Sequence, residues 1–90
     1  MTEARRRTAA AAAAGDWPPE LAALGSRVAA ERRRMGLTQD ELADRSGVSR
    51  PTISKIERGV QDVGVVALHK IAKVLGTEAG SLLGGSGAGG

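Results

Sequence analysis

Ninety residues without a cysteine leave room for one small domain, because so short a chain buries too little surface to divide between two cores. Thirteen Lys+Arg against ten Asp+Glu give a net charge of +3, and Trp17 is the only aromatic side chain, so the core must be aliphatic. No disulfide framework, thiolate zinc site or cysteine nucleophile is available, and no apolar run reaches the about eighteen residues that a membrane span needs. Arg5-Arg6-Arg7 followed by the alanines Ala9 to Ala14 imitates a secretory signal but lacks its Leu-rich apolar region. The composition fits a reducing compartment, and a cytoplasmic location is expected.

In chain order, residues 1–19 read as a basic, Ala-rich arm. Gly15 and Pro18-Pro19 end any helix there before it reaches the length at which isolated helices persist, so a frayed or disordered arm is expected. Residues 20–83 form the segment that should fold. Residues 84–90 are Gly-rich, with maximal backbone freedom and nothing to bury, which is the pattern of a flexible tail or linker.

Glycines at 25, 36, 47, 59, 64 and 76 separate stretches of helical periodicity, and each is placed where a left-handed residue would close a helix. The first helix is predicted from Pro19 or Glu20 to Met35, with Leu21, Leu24, Val28 and Met35 on one face and Gly25 weakening its beginning. Thr38-Gln39-Asp40-Glu41 has the spacing of a capping box and opens a second helix, closing near Ser46-Gly47. A third opens at Ser49 or Arg50, carries Pro51 in its first turn, buries Ile53 and Ile56, and ends before Gly59. The fourth runs from about Val65 to Leu75 with Leu68, Ile71, Ala72 and Leu75 on one side; Glu78 to Leu83 adds a short fifth, diluted by Gly80. No segment alternates as a strand does. The fold class is all-α, four or five short helices around an aliphatic core.

Catalysis has little to work with. His69 is the only histidine, and one imidazole supplies neither a metal cluster nor a triad, so no catalytic residue, metal or cofactor is expected. Asp40, Glu41 and Asp44 cluster on the second helix, but Glu41 has a capping task and the others read as a solvated face. Residues 20–83 hold ten Lys+Arg and eight Asp+Glu, a balance common to many domains, so the position of the charge matters more than its sum.

A short capped helix, the tight turn Gly47-Val48-Ser49 and a third helix whose outer side offers Arg50, Thr52 and Lys55 make a helix-turn-helix arrangement over residues 38–57. Arg and Lys donate to guanine O6 and N7, and Thr offers a hydroxyl or a methyl to a base edge. Thr38 and Gln39, at the start of the crossing helix, present donors to phosphate. Arg32 lies four residues after Val28, and Glu57 four after Ile53, so both charges point inward. Each is costly to bury alone, and an Arg32–Glu57 ion pair is predicted.

The run Gly36-Leu37-Thr38-Gln39-Asp40-Glu41-Leu42-Ala43, then Ser46 to Gly59, strongly resembles the lambda-repressor/Cro (Xre-type) helix-turn-helix family, and the match extends through Lys70-Ile71-Ala72 and Val74-Leu75-Gly76 to Leu82-Leu83. The resemblance implies a five-helix, lambda-repressor-like domain. It further implies a transcriptional regulator, usually a homodimer on a palindromic double-stranded DNA operator and often a repressor. By position it makes Arg50, Thr52 and Lys55 base readers with Pro51 packed close to the groove, makes Thr38, Gln39, Ser49 and Arg58 backbone contacts, and puts Arg32 and Glu57 at a family ion pair. Where the family often has a proline and then a serine before the fourth helix, this chain reads Val63-Gly64, a weaker cap. Two alternatives stand beside the solo regulator: an antitoxin that also grips a toxin or effector, fused or separate, and a protein-interaction module that bridges transcription factors. In neither is a membrane partner expected.

Overall fold

A computed structural model describes residues 16–84, so the Arg5–Arg7 and Ala9–Ala14 segments and all of the Gly-rich end beyond Gly84 lie outside the described residues. Five helices follow one another: α1 (Pro19–Arg34), α2 (Gln39–Ser46), α3 (Arg50–Arg58), α4 (Val65–Leu75) and α5 (Ala79–Leu82). Among the described residues there is no strand.

Each boundary has a local cause. Pro19 opens α1, where a missing N–H costs nothing. Thr38 closes a full capping box on α2: its hydroxyl accepts from the Glu41 N–H at 3.0 Å, and the Glu41 carboxylate accepts from the Thr38 N–H at 2.8 Å. Those hydrogen bonds, the backbone one foremost, hold the exposed Glu41 carboxyl below its ordinary value. Ser49 caps α3 by accepting from the Thr52 N–H. The N-terminal position of α4 falls to Gly64, which has no side chain to cap with. Gly47 (φ 77°) turns the chain from α2 to α3, a left-handed conformation that a side chain would resist.

The core is aliphatic throughout. Val28 of α1, Leu42 of α2, Ile53 and Ile56 of α3, Leu68, Ile71 and Leu75 of α4, and Leu82 of α5 pack into one cluster. Burying a side chain of this size contributes about 1.5–3 kcal/mol, so these few residues supply most of the drive to fold. Trp17 stays half-buried ahead of α1 and outside that cluster.

Three details differ from the periodicity. Met35 is 40 % exposed rather than part of the buried stripe. The helix ends at Arg34, and the Gly36 and Leu37 N–H groups return to the Arg33 and Arg32 carbonyls, which swings Leu37 into the core instead. Gly64 does not close a helix; its φ of −68° places it at the start of α4. Gly25 closes nothing either, but sits buried inside α1 against the Ile56 and Glu57 carbonyls of α3, where a Cβ would collide with backbone. Across the same crossing, Gly59 meets the backbone of Ala22, so the two helices approach to a separation that only glycine allows.

Gly25→Ala is therefore expected to force α1 and α3 apart, destabilising the domain by about 1–3 kcal/mol. Urea unfolding followed by far-UV circular dichroism measures this, with Gly80→Ala, at an exposed site in α5, as the contrasting substitution.

Candidate nucleic-acid interface

Arg32, at the end of α1, is where the polar structure converges. Its Nε and Nη2 donate to the two carboxylate oxygens of Glu57 at 2.7 and 3.0 Å, and its Nη1 donates to the Leu37 carbonyl at 2.7 Å. Gln39, the first residue of α2, donates its side-chain amide to Glu57 Oε1 at 3.0 Å. One guanidinium and one carboxylate thus join α1, the turn after it, α2 and α3. Both side chains of the ion pair are buried, 11 % and 6 % exposed. Among the described residues no buried side-chain nitrogen or oxygen lacks a partner. Burial alone would push the Glu57 carboxyl up, but the hydrogen bonds from Arg32 and Gln39 and the charges of Arg32 and Arg33 outweigh it and hold the group below its ordinary value. The bond to Glu57 raises Arg32 against the opposing effect of burial.

This hub fixes the C-terminal end of α3 while Ile53 and Ile56 fix its inner face. The outer face is left to Arg50, Pro51 and Lys55, all exposed, with Thr52 half-buried beside them. The Ser49 hydroxyl donates to Thr52 Oγ1 at 2.8 Å, which leaves the threonine's own hydrogen free to donate outward. Arg50 also meets Asp40, the second residue of α2, with Nε 3.4 Å from Oδ1.

Of the residues assigned to phosphate, Thr38 is exposed and Gln39 half-buried at the start of α2. The Thr38 N–H and hydroxyl oxygen are both used in the capping box, which leaves the hydroxyl hydrogen free to donate. Gln39 spends one amide hydrogen on Glu57 and keeps the other, and first-turn N–H groups have no acceptor within a helix. Ser49 is exposed, with its hydroxyl committed to Thr52. Arg58 is exposed and folds its Nε back to the Ser54 carbonyl at 3.4 Å. His69 lies exposed on α4 with Nδ1 2.9 Å from the Val65 carbonyl, and among the described residues it joins no group of three or more His, Asp or Glu side chains that could hold a metal ion.

Two contributors escaped the sequence reading. Ser46 is buried and accepts from the Val48 N–H at 3.2 Å, which shapes the turn between α2 and α3; a serine at a helix end gives no signal that distinguishes this from a solvent contact. Asp40 read as part of a solvated face, and only the fold brings it to Arg50.

Two helices joined by a glycine turn, the second locked along its inner face and open along its outer one, define a helix-turn-helix DNA-binding domain. A helix-turn-helix family profile matches residues 28–82, and the chain belongs to that family, the Xre/lambda-repressor-like transcriptional regulators. It is 47 % identical over 47 residues to an uncharacterized HTH-type transcriptional regulator of Methanothermobacter thermautotrophicus, covering 52 % of this chain and 68 % of that one. To the regulator y4dJ of Sinorhizobium fredii it is 43 % identical over 53 residues, covering 59 % and 69 %. Among solved structures, the restriction-modification controller protein C.AhdI of Aeromonas hydrophila superposes with a TM-score of 0.70 at 34 % identity, over 72 % of this chain and 98 % of that one. The clp gene regulator ClgR of Corynebacterium glutamicum gives 0.69 at 33 %, over 73 % and 70 %.

The hub has a pH signature. Because the folded Glu57 carboxyl is held below its unfolded value, its stabilising contribution is complete above about pH 4.3 and is lost as pH falls through the folded value. Glu57→Gln should flatten that acid limb, as read from stability at a series of pH values. Arg32→Met leaves a buried carboxylate without its partner and should cost about 3–5 kcal/mol, whereas Arg32→Met with Glu57→Leu should recover most of that loss.

Proposed function

We propose that this chain represses transcription as a homodimer on a palindromic operator, inserting the N-terminal part of α3 into the major groove. The observation that supports this reading best is the set of exposed donors on α3, held in one frame by the Arg32–Glu57 hub. Arg50 and Lys55 suit guanine O6 and N7, Thr52 suits an acceptor or methyl on a base edge, and Pro51 fits closely because it carries no N–H to desolvate. The free Gln39 amide hydrogen and the backbone N–H groups of Gln39 and Asp40 would meet phosphate, assisted at the rim by the Thr38 hydroxyl hydrogen and the Arg58 guanidinium, with Ser49 joining them where its hydroxyl turns from Thr52 to a phosphate.

Residues 20–83 are the DNA-binding unit in this reading, flanked by residues 1–19 and 84–90. It acts by binding rather than by catalysis, on cytoplasmic DNA. Val65 and Val66 are 70 % and 68 % exposed on α4, and Leu83 is 60 % exposed after α5; apolar side chains so placed suit a second copy. A two-fold dimer would then span half-sites about 34 Å apart.

Selection from a random duplex pool, followed by anisotropy titration of the enriched duplex and a scrambled one at two salt concentrations, tests the reading. A palindromic sequence bound at least about a thousandfold more tightly than the scrambled duplex is expected, with that preference lost in Arg50→Ala. No enrichment, together with residual affinity that vanishes in salt, would leave only phosphate attraction and favour a protein-interaction module.

A further inference from the structure

The Arg50–Asp40 contact differs in kind from the buried pair. It is a single approach of 3.4 Å through Nε, with the side chains 56 % and 81 % exposed, whereas Arg32 and Glu57 are bidentate and buried. Exposed single-contact pairs contribute next to nothing to stability. Asp40 also stands in the first turn of α2, where the helix N-terminus would receive phosphate, and a carboxylate in that place repels the duplex backbone. An acidic side chain that lowers attraction to any duplex, and that also touches one of the outward cations of α3, can raise discrimination while it lowers non-specific affinity.

The atoms involved say how. A guanidinium reads guanine with a pair of N–H donors in a fixed fork, and Asp40 takes the Nε side of Arg50, leaving the Nη1 and Nη2 end to meet O6 and N7. An Arg50 without that tether is a flexible cation able to turn to the nearest phosphate. We propose that Asp40 is a specificity-determining positioning residue, which orients the Arg50 guanidinium toward a guanine edge and withholds it from the phosphate backbone. This rests on the reading of α3 as the groove-entering helix. The other charged groups at this edge of the motif do not substitute for it: Glu41 is committed to the Thr38 cap and Glu57 to Arg32.

The experiment uses the full chain and three duplexes: the enriched operator, the same operator with the G·C pair sensitive to Arg50→Ala replaced, and a scrambled sequence. Wild type, Asp40→Asn, Asp40→Glu, Arg50→Ala and the Asp40→Asn/Arg50→Ala double variant are titrated by anisotropy at several salt concentrations. Thermal unfolding confirms that each remains folded, as expected for exposed sites. Asp40→Asn should tighten binding to the scrambled duplex and cut discrimination at that G·C pair, each by about twofold to fivefold, the range one exposed charge contact can supply. Asp40→Glu should restore part of the discrimination, and in the Arg50→Ala background the Asn substitution should leave discrimination unchanged. If Asp40→Asn tightens all three duplexes by the same factor, or lowers discrimination equally without Arg50, Asp40 is only a general repulsive charge and the proposal is overturned. If Arg50→Ala loses no preference at any base pair, the reading of α3 falls and the role of Asp40 falls with it, an outcome distinct from loss of the Asp40 effect alone.

Discussion

The geometry of this domain depends on a single constraint: a guanidinium and a carboxylate buried together must satisfy each other and leave no buried polar atom around them without a partner. Every guanidinium nitrogen of Arg32 has a partner, Nε and Nη2 on the two Glu57 oxygens and Nη1 on the Leu37 carbonyl, and the Gln39 amide adds a second donor to Glu57 Oε1. Each added partner belongs to a different part of the motif. The requirement to leave no buried charge unpaired therefore also sets where α2 begins and how α3 lies against α1. An apolar pair could fill the same volume with similar stability, but would carry no directional information about how the helices dock.

The close crossing of α1 and α3 complements this. Gly25 and Gly59 let backbone approach backbone, so the hub side chains reach each other without stretching, and Ile53 and Ile56 seat below them. With one end of α3 held by charge and one face held by packing, the remaining surface is presented as a rigid row. That rigidity separates a reading helix from a merely basic one, because hydrogen bonds to base edges tolerate little error in direction.

Much of this was legible in the chain because it is local. The Thr38–Glu41 capping box, the ends of α2, α3 and α4 and the inward phase of Arg32 and Glu57 all follow from spacing within a few turns. Met35 escaped because seven-residue spacing from Val28 holds only while the helix continues, and the turn at Gly36 hands its place to Leu37. Gly25 and Gly64 were opaque for a different reason. Glycine serves equally as a terminator, a helix start and a packing surface, and only the neighbour across the gap distinguishes them. The same holds for Asp40, whose partner is ten residues away around a turn.

The fastening of the two halves is uneven. The segment from α1 to α3 is tied by the hub, a full capping box and a serine cap, whereas α4 starts on an uncapped glycine and docks through the apolar side chains of Leu68, Ile71, Ala72, Val74 and Leu75, and α5 adds one bond from Arg27 to the Leu82 carbonyl at 3.3 Å. Local opening draws on the region with fewest polar ties, so amide exchange should be graded along the chain, with the first turn of α4 exchanging ahead of α3. The exposed valines lie in that same turn. Anything that settles on them would slow the breathing of the weaker half and, through the shared aliphatic core, steady the segment from α1 to α3 as well.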